Sequence, residues 1–84
     1  MNSLSPYEKG MLIHLHAYNE VQINLFDMLD DDARIALEHL QDLKLVKEVS
    51  SINGVITYKL TEHGMEYIKT VKPGVDNELV FPEL

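Results

Sequence analysis

Apolar residues near the start of the chain recur at helical spacing. Tyr7, Met11, Leu12, Leu15 and Tyr18 gather toward one side of a helix. Just before them, Ser5-Pro6-Tyr7-Glu8 combines a capping serine, a proline at the first helical position and a glutamate three residues after the serine. These signals predict a helix over about 5–19, although the interior Gly10 costs about 1 kcal/mol relative to alanine. In "NEVQINLFDMLD", Val21 and Ile23 alternate with polar residues and suggest a short extended piece. Leu25, Phe26, Met28 and Leu29 then suit one or two helical turns. In either conformation these apolar residues are expected in the core.

The stretch "DDDARIALEHLQDLKLV", Asp30 to Val46, returns to helical steps. Ala33, Ala36, Leu37, Leu40 and Leu43 share one face. Asp30 is the expected N-cap, with Asp31 and Asp32 in the first turn, where the helix dipole favours carboxylates. Good capping is a sufficient account of three aspartates, and an acidic interaction face is the other.

From Leu45 the period becomes two. "KEVSSINGVITYKL" is two strands around Asn53-Gly54, the strongest short hairpin signal. A two-residue turn would pair Ile52 with Val55, Ser51 with Ile56, Val49 with Tyr58 and Glu48 with Lys59. Val49, Ile56, Tyr58 and Leu60 then share one face, and Glu48, Ser50, Thr57 and Lys59 the other. Thr61 caps a last helix, "EHGMEYIKTV", with Met65 and Ile68 pointing the same way and Pro73-Gly74 ending it. Val75, Leu79, Val80, Phe81 and Leu84 give the tail an apolar character without helical period, so it should pack on the domain or on a second subunit.

The predicted fold is therefore α+β: three helices, a two-stranded β-hairpin, a further C-terminal helix and an extended tail. Residues 1–72 form a single domain and 73–84 an extended apolar tail. Eighty-four residues, 45% of them hydrophobic, support one modest core. Small single-core domains commonly gain stability by oligomerising. There is no cysteine, which removes disulfides and thiolate zinc sites and fits a reducing compartment. The start "MNSLSPYEKG" has neither a basic region nor an apolar signal core, and no run of about 18 apolar residues exists to span a membrane. A soluble cytoplasmic protein without membrane partners is expected.

The formal charge is −7 and the pI near 4.8. DNA affinity comes largely from cations that displace counterions. The seven here, Lys9, Arg34, Lys44, Lys47, Lys59, Lys69 and Lys72, are scattered through the sequence.

"ALEHLQDLKLV" followed by "ITYKLTEHG" resembles the third helix, wing and following helix of MarR- and PadR-like regulators. Leu45-Val46, Tyr58, Leu60-Thr61 and Gly64 carry the likeness, which covers about residues 5–70. The resemblance implies a winged helix-turn-helix, with the third helix in the DNA major groove and the wing beside it. The reading positions it implies are Asp31, Asp32, Arg34, Ile35 and Glu38, where DNA-binding relatives favour serine, threonine, glutamine, asparagine and arginine. Only Arg34 suits that role. Each like charge at about 4 Å costs roughly 1 kcal/mol in water and several-fold more in a partly desolvated groove. One arginine does not offset four neighbouring acids. The wing departs as well: Ser50, Ser51, Ile52, Asn53, Gly54 and Val55 put two apolar residues at the tip where cations are usual. These would contact a protein or the domain's own tail. Lys59 is expected to pair with Glu48.

Other chemistry finds little support. His14 and His16 point away from one another on a helix, and His39 and His63 have no ligand spacing around them. A calcium loop starting at Asp27 would have Glu38 at its twelfth place but Asp32 where glycine is required. No nucleophile-base-acid order or glycine-rich phosphate loop is visible, and Met11, Met28 and Met65 suit core positions. No enzyme activity, cofactor or metal is expected. The expected function is a regulatory winged-helix module acting through protein contacts, with Asp31, Arg34, Ile35, Glu38, Asp42, Ile52 and Val55 meeting the partner. That partner is another protein or an identical chain, the latter through the C-terminal tail, and the acidic face could mimic nucleic acid. Nucleic acid itself is disfavoured as partner; the alternative is a DNA-binding regulator using Arg34, Lys44, Lys47 and Lys59.

Overall fold

The computed structural model describes residues 4–82. It is a small α+β domain. The helices are α1 (Pro6–Tyr18), α2 (Asp31–Asp42) and α3 (Glu62–Lys69). A three-stranded antiparallel sheet is built from β1 (Val21–Asn24), β2 (Val46–Ile52) and β3 (Val55–Leu60), in the order β1-β3-β2. A small hairpin, β4 (Lys72–Pro73) with β5 (Leu79–Val80), closes the chain. Among the described residues no helix is long and apolar enough to cross a membrane.

α1 begins with the expected capping box: the Glu8 N–H donates to the Ser5 hydroxyl, and the Ser5 N–H donates to Glu8 Oε1 at 2.8 Å. Its end is set by Asn19 in the left-handed region, φ 72°. The buried stripe is narrower than the apolar pattern, consisting of Leu12, Leu15 and the Glu8 stem with Met11 beside them. Tyr7 and Tyr18 lie on the exposed flank, where His14 stacks on Tyr18 at 4.7 Å between ring centroids. From α2, Ala33, Ala36, Leu37 and Leu40 are buried as expected, and Leu43 is half-buried. Leu12, Leu15, Leu37, Leu40, Leu45 and Val46 are the most completely enclosed side chains, sealed by Ile23, Tyr58, Leu60 and Tyr67.

Two expectations about elements need correction, while the short extended piece expected at Val21 and Ile23 is present as strand β1, with Val21 and Ile23 on the inner face beside Tyr58 and Ile56. The expected helical turns after it shrink to a single 3-10 turn, Met28–Asp30. The apolar residues of this stretch are not core: Phe26, Met28 and Leu29 are 83%, 84% and 89% exposed. The tail is not simply extended but folds into the β4–β5 hairpin.

The hairpin turn matches its sequence. Asn53 and Gly54 both have positive φ, 53° and 78°, as a type I′ turn requires, and Ile52–Val55 and Ser51–Ile56 pair. Beyond Ser50–Thr57 the register shifts. Val49 is an extra residue, so Glu48 pairs with Tyr58 and Lys47 with Lys59. The expected Val49–Tyr58 and Glu48–Lys59 pairs, and the Glu48–Lys59 ion pair, are therefore overturned. An unbroken ladder would have set Lys47 opposite Leu60 on the core face. The bulge sets Val46 there instead, burying an apolar side chain rather than a charge. Thr57, expected to face outward, is buried on the central strand between Gln22 and Ser50.

α3 buries Gly64 and Tyr67, with Ile68 half-buried and Met65 exposed, correcting the Met65–Ile68 face. The cause lies at the helix start. Thr61 caps Gly64 N–H at 2.9 Å and donates its hydroxyl to the Lys44 carbonyl, while the Thr61 N–H donates to the Leu45 carbonyl at 3.0 Å. Gly64 rests directly on that carbonyl. The helix ends at Lys69, ahead of Pro73-Gly74. Phe81 packs back on the core, 6.1 Å from the Tyr67 ring, and the Tyr67 hydroxyl donates to the Pro82 carbonyl at 2.7 Å. Val75, Leu79 and Val80 stay exposed, and Leu84 lies outside the described residues.

The two helical glycines should respond oppositely to alanine. Nothing lies within 4 Å of a Cβ at Gly10, whereas one at Gly64 would collide with Leu45 backbone. Thermal or urea denaturation should show Gly10→Ala more stable by about 0.5–1 kcal/mol. Gly64→Ala should be less stable by about 1–3 kcal/mol, since the clash outweighs helix propensity.

Candidate functional site

The outward face of α2 is acidic. Asp31, Ile35, Glu38 and Asp42 follow steps of four, three and four, so they form one stripe along the helix, and all are exposed. Ile35, the apolar member, is 58% exposed. Arg34 borders the stripe and is tied to it: its Nη1 lies 3.1 Å from Glu38 Oε1. An exposed pair of this kind contributes little stability, but it commits the helix's single arginine to a carboxylate. The buried Tyr58 hydroxyl senses the local field. Burial raises its pKa, and Glu48 and Glu38 raise it further against the opposing Arg34.

The expected use of Asp30 is corrected. It makes no side-chain cap on α2. Its Oδ2 instead accepts the Asn24 N–H at 2.9 Å, across the loop joining β1 to α2. In the same loop Asn24 Oδ1 accepts the Phe26 N–H and Asp27 Oδ1 accepts the Leu29 N–H, each at 2.9 Å. The Leu25 N–H donates to the Gly54 carbonyl at 2.8 Å, and the Phe26 ring lies over Gly54 at the hairpin turn. Polar side chains thus satisfy the backbone while the apolar ones point out. The sequence held a clue, since asparagine and aspartate two residues ahead of a donor favour such turns.

At the hairpin tip Ile52 is 66% exposed and Val55 half-buried. They pair directly, on the sheet face opposite Ile56 and Tyr58. The described tail contacts, from Phe81 to Tyr67 and Lys9 and from Pro82 to Tyr67, lie instead on α3 and α1. Of the remaining cations, Lys47 and Lys59 face each other across β2 and β3, and Lys44 sits in the turn between α2 and β2 with φ 66°.

One further constellation was not expected. Glu8 Oε2 meets His39 Nδ1, joining α1 to α2. His39 is therefore a hydrogen-bonding partner of a carboxylate on the neighbouring helix. The pair sits at a groove of about 480 Å³ lined by Tyr7, Glu8, Asp32, Ile35, Ala36 and His39. Among the described residues no group of three or more histidine, aspartate and glutamate side chains is arranged to hold a metal ion.

Burial pushes the Glu8 carboxyl up, but the Ser5 N–H, the His39 ring and the Ser5 hydroxyl together hold it below its ordinary value of 4.5. A carboxyl depressed in the folded state stabilises the fold above that value and loses its contribution as pH falls through the folded pKa. Urea titrations should show Glu8→Ala less stable by about 1–2 kcal/mol at neutral pH, because the capping box is lost. Glu8→Gln, which can still reach the Ser5 N–H, should lose less stability than the wild type when the pH is lowered below about 4.5.

Comparison with protein-family models, curated proteins and solved structures returns no match for the chain.

Proposed function

We propose that this domain is a winged helix-turn-helix module that acts through protein contacts rather than by reading DNA. The element order α1, β1, turn, α2, β2, β3, α3 and the strand order β1-β3-β2 support a winged-helix reading in which α2 is the recognition helix and the β2–β3 hairpin the wing. One observation carries the functional half: Asp31, Glu38 and Asp42 are all exposed on the outward face of α2, and Arg34 is bound to Glu38. A helix so charged repels phosphate on entering a groove, where desolvation amplifies each like-charge contact. Asp31, Arg34, Ile35, Glu38 and Asp42, with Ile52 and Val55 at the wing tip, are the residues assigned to the partner. A basic surface on that partner would suit the stripe, including one that otherwise binds nucleic acid.

The DNA-binding alternative has a specific observation in its favour. Lys47 and Lys59 sit directly opposite each other on the wing, where like charges are destabilising and a bridging phosphate would relieve them.

Fluorescence anisotropy with random duplex DNA at about 50 mM salt separates the two readings, since non-specific affinity is greatest at low ionic strength. The wild type should not bind. Asp31→Lys combined with Glu38→Lys and Asp42→Lys should acquire salt-sensitive binding, because the scaffold keeps its shape while the stripe changes sign. Wild-type binding that weakens steeply with salt would overturn the proposal in favour of Arg34, Lys44, Lys47 and Lys59.

A further inference from the structure

The loop between β1 and α2 presents bulky apolar side chains to solvent. Phe26, Met28 and Leu29 are each more than four-fifths exposed, and Leu25 is nearly half exposed. The Phe26 ring reaches the Gly54 turn, which makes the loop continuous with the wing tip, where Ile52 is also exposed. Scattered exposed apolar residues are ordinary; a contiguous set is a mark of an interaction site. The backbone beneath this set is held by Asn24, Asp27 and Asp30 side chains and by the Gly54 carbonyl. A loop ordered before contact loses less conformational freedom on binding.

The charge around the patch identifies what it fits. The loop and the helix start that follows it carry no lysine or arginine before Arg34, while Asp27, Asp30, Asp31 and Asp32 fall within them. We infer that the loop and wing tip dock a basic apolar segment of another protein, its apolar side chains against Phe26, Met28 and Leu29 and its lysines or arginines toward Asp27, Asp31 and Asp32. This deepens the protein-binding reading above and rests on it. The loop adds bulky apolar anchors to the single Ile35 of the α2 stripe, and the stripe supplies charge.

The test uses a fluorescein-labelled peptide of alternating leucine and lysine pairs, with two controls: serine in place of leucine, and glutamate in place of lysine. At about 150 mM salt, where distant charges are screened, the leucine–lysine peptide should bind about tenfold or more tightly than either control. Phe26→Ser with Leu29→Ser should weaken that binding by about tenfold or more, as loss of central anchors does. Circular dichroism and the thermal midpoint should be unchanged, because both side chains are exposed. Absence of peptide binding, equal binding of the serine–lysine control, or unchanged affinity in the loop variant would overturn the inference. If the loop variant binds normally while Glu38→Lys with Asp42→Lys does not, the α2 reading survives and the loop assignment fails. A dimer in sedimentation velocity that Phe26→Ser dissolves would give the patch to a second copy, and phosphatidylcholine vesicle binding lost in Phe26→Ser would give it to lipid. Either result overturns the inference.

Discussion

The arrangement of the domain depends on a close approach at one peptide group. The Leu45 carbonyl receives the Thr61 N–H at 3.0 Å and bears the bare Cα of Gly64, while the neighbouring Lys44 carbonyl takes the Thr61 hydroxyl. Lys44 itself turns the chain with φ 66°, and the Leu45 N–H donates back to the Leu40 carbonyl at 3.0 Å. The end of α2, the start of β2, the end of β3 and the cap of α3 are therefore joined within a few residues. Leu40, Leu45, Val46 and Leu60 converge there as buried side chains. Fixing α2 at this end decides which of its faces enters the core and so which carboxylates it presents outward.

What was legible in the sequence was local. The Ser5–Glu8 box, the Thr61 cap and the Asn53-Gly54 turn each involve residues at most three apart, and the structure contains all of them. The motif Leu60-Thr61 with Gly64 also carried real information, because the cap and the contact with Leu45 need those residue types. What escaped was set by partners distant in the chain. Glu8 meets His39 across 31 positions. The bulge at Val49 arises because Val46 must reach the core opposite Leu60, a demand invisible to alternation within β2. Tyr67, not Met65, is buried because Gly64 sets the rotation of α3.

Leu25 to Leu29 reverse the usual placement of apolar side chains. Apolar residues flanking a helix start are expected inside, since burial is favourable by roughly 1.5–3 kcal/mol for a large side chain. Here the backbone spends its hydrogen-bonding capacity on Asn24, Asp27 and Asp30. With the backbone held in these turns, Phe26, Met28 and Leu29 stay outside, and Ile23 from β1 fills the adjoining core. Polar residues thus determine where the apolar ones go.

Charge and shape on α2 and its loop combine with consequence. A carboxylate stripe alone attracts any cation weakly, and its range in physiological salt is limited to about 8 Å. An apolar patch alone attracts any apolar surface. Placed side by side on a hydrogen-bonded loop and helix start, each would restrict the other under the proposed protein-binding role: the acids would disfavour polyanions and anionic surfaces, while Phe26, Met28 and Leu29 would favour a partner able to bury them. Specificity is a difference between affinities, and repulsive features contribute to it as much as attractive ones. The same reasoning makes the Lys47–Lys59 pair a counterweight, since it lies on the outer sheet face toward the far end of the strands from the Asn53-Gly54 turn. A partner that reaches along the wing from the acidic loop would need to change sign along its own length, basic near Phe26 and acidic near Lys59.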